Sequence, residues 1–341
     1  MAISVAGVFA AAVCAAVPPT ANHPWRAIHF ICYHDDAGLM KLEEQLPQLA
    51  KAGINCVILE MNYNFEYQSH PELRQGERQI TKGGARQLVE ACRKNDIELV
   101  PQFQCLGHQS WKENTSPLLV KYPELDLTPD VPSDTKGFYC REWNPLDPKV
   151  NEIIFPLIDE LVDAFDAKAV HVGMDEVFLL ASEHAKTKDH DPAEVFAKTV
   201  KDLHEHIVGQ RGLTMLMWAD RLIDGKLLNM GEWEASQVGT AASVDKIPKD
   251  IILCPWHYEP REGGAYESVP MLMEKGFRVM PASWKNTDAG LALIRFAREH
   301  ETDGRLVGHI FTTWSGAPDK NWAEWEPVAK GLALLQSPDG K

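Results

Sequence analysis

KAVHVGMDEV, residues 168–177, runs from an apolar stretch of strand composition straight into two adjacent carboxylates, Asp175 and Glu176. Alternation along a strand would send such neighbours to opposite faces, and like charges side by side repel. The run has counterparts along the chain: RAIHFICY (26–33), INCVILEMN (54–62), IELVPQFQ (97–104), LTMLMWA (213–219), DIILCPW (250–256), FRVMPASW (277–284) and RLVGHIFTTW (305–314). Their apolar residues are nearly continuous, as in parallel strands covered on both faces. Between them lie helical patterns over 39–53, 83–96, 151–165, 193–207, 271–276 and 290–300, with a last one over 323–335. In the first, Leu42, Leu46 and Leu49 share a face and Gly53 stands where a helix would end. A βα unit repeated eight times predicts an α/β fold, a single-domain (β/α)8 TIM barrel over residues 24–337. A doubly wound sheet would carry a Gly-rich phosphate loop after its first strand, and YHDDAG has none.

The barrel reading makes a test available, because barrel sites form at the C-terminal ends of the strands. Polar and aromatic residues collect there: Glu60, Asn62 and Tyr63; Gly107, His108 and Trp111; Asp175 and Glu176; Trp218 and Asp220; Trp256, His257 and Tyr258; Trp284 and Lys285; Trp314. Five of the ten tryptophans (111, 218, 256, 284, 314) sit at such ends. That pattern predicts a shared aromatic pocket, and the flat apolar faces of sugars stack on such walls. Breaking a glycosidic bond needs a carboxylic acid beside the leaving oxygen, and Glu176, in an aromatic pocket next to Asp175, is the expected acid. The long connection 106–148, rich in Pro, Asp, Asn and Trp, follows the third strand and is expected to be a binding loop. The segment 220–250 is the least regular of the connections.

Composition narrows the rest. A net charge of -15 with no Lys/Arg cluster excludes nucleic acid as a partner. The run ISVAGVFAAAVCAAVPPTA is too short to span a bilayer, and no other stretch forms a transmembrane helix, so no membrane partner is expected. With small residues near its end, it is expected to be an export leader over residues 1–23, although no Lys or Arg precedes it. This favours a periplasmic or secreted protein over a cytoplasmic one. Cysteines 14, 32, 56, 92, 105, 140 and 254 form no CxxC or zinc-like spacing and read as small buried hydrophobes. His29, His34, Asp35 and Asp36 follow no HxH or HExxH pattern, so no metal is expected. His171, in mid-strand, is expected to be a core or supporting residue.

HVGMDEV resembles the H-x-G-G-D-E motif of glycoside hydrolase family 20, the β-N-acetylhexosaminidases, with Met174 at the second Gly. WRAIHF is similar to the family's first-strand R-G motif, QFQCLGHQSW to its P-E-I-D-x-P-G-H segment and MLMWADRL to its W-x-D strand. The resemblance covers residues 24–335 and is nearest to the single-domain, hexosaminidase D-like branch, which tolerates a larger residue at Met174. It implies an exo-acting β-N-acetylhexosaminidase with no cofactor, in which the substrate's own 2-acetamido group attacks and an oxazolinium forms with retention. In that scheme Glu176 is general acid and then base, Asp175 polarises the acetamido N–H and Tyr258 bonds the acetamido oxygen. Arg26 matches the residue that grips sugar hydroxyls and His108 the substrate-binding histidine of the third-strand loop, while Trp218, Asp220, Trp256, Trp284 and Trp314 line the substrate. Where larger members carry W-x-E after the last strand, this chain has WSGAP, so that role is unfilled or passes to Asp319 or Glu324. With the first strand beginning near residue 25, the family's separate N-terminal domain is not expected in this chain. Two other readings stay open: a catalytically silent sugar-binding barrel, and a retaining glycosidase for non-acetamido sugars with an enzymic nucleophile.

Overall fold

A computed structural model of the chain describes residues 18–337 apart from 112–113, 133, 137 and 315–316. Of the expected leader, residues 1–17 lie outside the described residues, and a small bridge joins Thr20 to His23. The elements are β1 (Trp25–Phe30), α1 (Asp36–Ala52), β2 (Cys56–Glu60), α2 (Lys82–Lys94), β3 (Glu98–Cys105), β4 (Ser110–Trp111), β5 (Asn114–Thr115), α3 (Pro117–Lys121), α4 (Pro148–Ala164), β6 (Ala169–Gly173), α5 (Pro192–His204) and β7 (Thr214–Trp218). They continue with β8 (Ile252–Cys254), α6 (Ser268–Glu274), β9 (Arg278–Val279), β10 (Ala282–Ser283), α7 (Thr287–Glu299), β11 (Gly308–Thr312) and α8 (Glu326–Gln336). Local chemistry sets several boundaries. Asp35 caps α1 by accepting the Gly38 N–H at 2.8 Å, Gly53 ends it with φ +113°, and Thr81 caps α2 through the Gly84 N–H. No described helix is long and apolar enough to cross a membrane.

The main sheet is parallel and curled, in the order β10-β11-β1-β2-β3-β6-β7-β8-β9, with helices outside it. Its two edges, β9 and β10, are halves of the one predicted seventh strand. Pro281 lies between them, and having no N–H it cannot donate to a neighbour. The stretch nevertheless bonds on both flanks: Met280 N–H reaches Leu253 O at 2.9 Å, Ala282 N–H reaches Pro255 O at 2.8 Å, and Pro281 O accepts Ile310 N–H at 2.9 Å. The architecture is therefore TIM-barrel-like.

Alternation divides the core into two layers. Ala27, Cys56, Ile58, Val100, Ala169, Leu216, Ile252, Cys254, Ala282 and Ile310 face inward and pack together. Their strand neighbours, such as Ile28, Val57, Leu99, Val170 and Met217, pack outward against the helices. The six described cysteines are free, and all but Cys32 are buried.

The connection 106–148 is less structureless than its composition predicts. It holds the β4–β5 hairpin, α3 and a buried Arg141–Asp126 ion pair at 2.5 Å. Glu142 then fastens it to the loop after β6, its Oε1 accepting the N–H groups of Phe178 at 2.6 Å and Leu179 at 2.7 Å. Burial raises the Glu142 carboxyl to about 8.

Candidate active site

The puzzle of adjacent carboxylates is resolved in the backbone. Inward parity in β6 falls on Ala169, His171 and Gly173, so a continuing strand would turn Asp175 inward and Glu176 out. Instead Gly173, Met174 and Glu176 have φ of +66°, +75° and +52°, a run of left-handed steps that breaks the alternation. Gly173 is sterically required as well, since a Cβ there would lie 2.0 Å from Gln104 Oε1. Met174 takes the left-handed conformation with a fully buried side chain, at a cost of about 1–2 kcal/mol. The turn is pinned from below: Asp220 Oδ2 accepts the Glu176 N–H at 2.9 Å and Arg221 Nε at 2.6 Å.

The two carboxylates consequently meet one histidine. His108 Nε2 lies 3.0 Å from Glu176 Oε2 and 3.4 Å from Asp175 Oδ2. Asp175 Oδ1 accepts the Gln104 amide at 2.7 Å. The register shift between β3 and β6 from Gln102 to Cys105 accompanies this approach of Gln104. Burial opposes charge on Asp175. Even so, the His108 charge, the bonds from His108 and Gln104 and a backbone bond hold Asp175 below the usual carboxylate range. Burial likewise works against a charged His108, but Asp175 with Cys140 and the bonds to both carboxylates holds its pKa well above the ordinary value. The ligand atoms of His108, Asp175 and Glu176 lie within 4.8 Å of one another, a spacing that would admit a cation. His108 already supplies a positive charge there.

Beside the pair stands an aromatic pocket from later strands. Tyr258 stacks on Trp256 at 4.9 Å between ring centres and meets Trp284 edge-on at 5.7 Å. Its hydroxyl accepts the Trp314 indole N–H at 2.7 Å. Trp314 in turn packs against Trp218 and His29.

Four of the expected residues are placed differently. Arg26 is outward by the parity of β1 and at its N-terminal end, donating to Gly53 O at 2.5 Å, so it does not reach the pocket. Asp220 is fully covered and holds the turn; burial pushes its carboxyl up to about 6 against the Arg221 charge. Trp218 is also fully covered and floors the pocket, tilted against His171 at 4.5 Å. Trp111, 58% exposed, stands apart from the other strand-end tryptophans and stacks near His108 instead. Asp319 pairs with Lys41 at 2.8 Å, and Glu324 is exposed. The four residues set aside as metal ligands have other partners: Asp35 caps α1, Asp36 accepts from Thr81, His34 bonds Asn64 and His29 bonds Gln102.

Several site residues were not singled out from sequence. Gln104 is one, although its inward position two after Gln102 in β3 was a usable signal. Tyr139 is another: burial, the Glu176 charge and a hydrogen bond to Glu176 all push its hydroxyl up. Arg221, fully buried, also holds the carbonyls of Glu232 at 2.5 Å, Trp233 at 2.9 Å and Ala235 at 3.1 Å. Three polar atoms beneath the pocket, His29 Nδ1, His171 Nε2 and Trp218 Nε1, are buried without a partner. Burial also keeps His171 well below its ordinary pKa, while its Nδ1 accepts the Gly173 N–H at 3.1 Å.

The sequence model described as "Glycosyl hydrolase family 20, catalytic domain" matches residues 31–286. Hexosaminidase D of Bos taurus is 22% identical over 193 residues, covering 54% of this chain and 51% of that protein. A beta-hexosaminidase of Emericella nidulans is 20% identical over 296 residues, 76% of this chain and 43% of that one. Among solved structures, the Flavobacterium johnsoniae chitobiase has a TM-score of 0.64 at 16% identity, covering 90% of this chain and 47% of the other. The chain thus spans about half the length of these relatives.

Proposed function

The chain belongs to glycosyl hydrolase family 20, and from that premise we propose that it is an exo-acting β-N-acetylhexosaminidase removing terminal β-linked GlcNAc or GalNAc with retention. The fold that carries it is a closed, single-domain eight-stranded barrel, with β9 and β10 counted as one strand. The observation that supports the activity best is the division of labour between the carboxylates. Asp175 alone accepts the Gln104 amide, at 2.7 Å, whereas Glu176 is shared between His108, at 3.0 Å, and Tyr139.

In the proposed reaction Glu176 gives its proton to the leaving oxygen as the anomeric C–O bond breaks. The substrate's acetamido carbonyl oxygen bonds to the anomeric carbon and forms the oxazolinium. Asp175 accepts the acetamido N–H and balances the positive charge as it develops. The Tyr258 hydroxyl accepts from Trp314 and also bonds Thr312, and it is proposed to exchange the Thr312 contact for the acetamido oxygen. Water, deprotonated by Glu176, then opens the ring and regenerates the acid. Trp256, Trp284 and Trp314 wall the sugar, and Trp218 closes the floor. His108 bridges both carboxylates and is proposed to contribute a bond to a sugar hydroxyl.

The test compares aryl β-glycosides of GlcNAc, GalNAc and glucose, with wild type and Glu176→Gln. Turnover of the acetamido sugars alone, abolished in the variant and inhibited by a thiazoline mimic of the oxazolinium, is the expected result. Equal rates on glucosides would refute substrate assistance, and sugar binding without turnover would identify a silent barrel.

A further inference from the structure

Glu60 and Asn62 stand at the C-terminal end of β2, and neither has a part in the reaction proposed above. By the parity of Cys56 and Ile58, Glu60 points inward, and its register partner in β3 is Gln102. Each oxygen of Glu60 receives a donor. Oε1 accepts the Asn62 amide at 2.8 Å, and Oε2 accepts the Gln102 amide at 2.8 Å. Asn62, left-handed at φ +45°, accepts the backbone N–H of Gln104 through its own Oδ1 at 2.8 Å. Gln102 Oε1 accepts His29 Nε2 at 3.1 Å, and the Gln102 amide nitrogen makes a longer contact, 3.5 Å, with Gln104 Oε1. Gln104 closes the series on Asp175 Oδ1 at 2.7 Å. Two routes therefore lead from Glu60 to Gln104, one through its backbone and one through its side chain.

The direction of these bonds follows from chemistry. A backbone N–H can only donate, so Asn62 turns its oxygen to Gln104 and its NH2 to Glu60. A carboxylate can only accept, so Gln102 turns its NH2 to Glu60 and its oxygen to His29. Gln104 then has its oxygen toward the Gln102 amide and its NH2 toward Asp175. Position 60 needs an acceptor at both oxygens, and a glutamine of the same shape would set a donor against Asn62 or against Gln102. His29, Gln102 and Gln104 are buried, so a donor facing a donor there carries its full desolvation cost.

Resting on the activity proposed above, we infer that Glu60 is a positioning residue for Asp175. Through Asn62 and Gln102 it fixes the direction of the Gln104 amide, so that Gln104 donates to Asp175 and holds that carboxylate toward the substrate's acetamido N–H. A carboxylate outside the reacting pair thus orients one within it, across β2, β3 and β6.

Exchanging the two functional groups tests this. Glu60→Gln sets a donor against a donor, and Asn62→Asp sets two carboxylates against each other where a 2.8 Å bond stood. Combined, the changes restore complementarity. The new amide at position 60 donates to the new carboxylate at 62 and accepts from Gln102, while the carboxylate at 62 still accepts the Gln104 N–H. On an aryl β-N-acetylglucosaminide each single variant should lose about tenfold in kcat, the worth of one charge-assisted bond, with KM within about twofold. The double variant should return to within about threefold of wild type. In a Gln104→Ala background, Glu60→Gln should change kcat by less than about twofold. Single variants without effect, a double variant as slow as the product of the singles, or an undiminished Glu60→Gln loss without Gln104 would overturn the assignment. Urea unfolding of the same variants reads the network without turnover: the midpoint should fall in each single variant and recover in the double. Failure of that recovery in an active enzyme would overturn the positioning role alone. Wild type without turnover would remove the hexosaminidase reading, and the catalytic consequence of Glu60 with it.

Discussion

Gly173→Ala puts the geometry of the carboxylate turn to a quantitative test. A Cβ at this position would lie 2.0 Å from Gln104 Oε1 and 2.5 Å from its Cδ, so the Gln104 side chain must leave. In leaving, it forfeits the 2.7 Å bond to Asp175, a charge-assisted contact of about 1.5–3 kcal/mol. An alanine held at φ +66° adds about 1 kcal/mol. The sum is a loss of about 2.5–4 kcal/mol in urea unfolding. If the lost bond is also missing from the transition state, kcat/KM on an aryl N-acetylglucosaminide falls by about 10–100-fold. Gln104→Ala removes the same bond without straining the backbone. In that background the clash with the Gln104 amide is gone, so Gly173→Ala should cost only about 1 kcal/mol. The cycle therefore predicts a coupling of about 2 kcal/mol between the two sites. Additive losses, with Gly173→Ala costing the same in both backgrounds, would refute the placement of Gln104 against Gly173.

Three further outcomes follow from the same geometry. Arg221→Met leaves the fully buried Asp220 without its cation, and unfolding should become easier by about 3–5 kcal/mol in urea titration. His108 has a folded pKa well above its unfolded value, so its contribution to stability is complete below the unfolded pKa of about 6.5 and is lost as pH rises through the folded value. Wild-type stability should therefore fall with pH above that point, and the stability difference from His108→Gln should shrink there; a constant difference would contradict the bridge. Arg26→Gln, at the far end of the barrel, should lower stability by about 1 kcal/mol through the lost Gly53 bond. Its kcat/KM should stay within about twofold of wild type, and a large drop would mean the residue reaches substrate after all.

Continuous apolar runs made the strands legible, and the helices between them follow from leucine spacing and capping residues. Asp175, Glu176, His108 and the later-strand aromatics were legible because barrel geometry says where strand ends converge. Arg26 shows the limit of that logic: a motif match ignores parity, and one residue of offset turns a side chain from the interior to the outer wall. The interruption of the seventh strand could have been suspected from Pro281, but the bonding on both of its flanks is a tertiary fact. Tyr139 and Glu142 lie in a connection without periodicity, where nothing local announces which side chain folds back. The left-handed conformation of Met174 was hidden for a different reason. Its residue type argues against that backbone, and only buried packing overrides the preference.

The left-handed run at residues 173–176 also bears on how this segment can change over time. Its direction is set by counting residues along the chain, so it behaves as a spacer of fixed length. Substitution beyond Gly173, at Met174, exacts only a local cost and keeps each carboxylate opposite its own partner. Insertion or deletion of a single residue between Gly173 and Glu176 would instead exchange inside for outside and separate both acids from His108 together. Drift in this chain should therefore accumulate as replacements within the turn and as changes of length only beyond Leu179, past the bonds to Glu142.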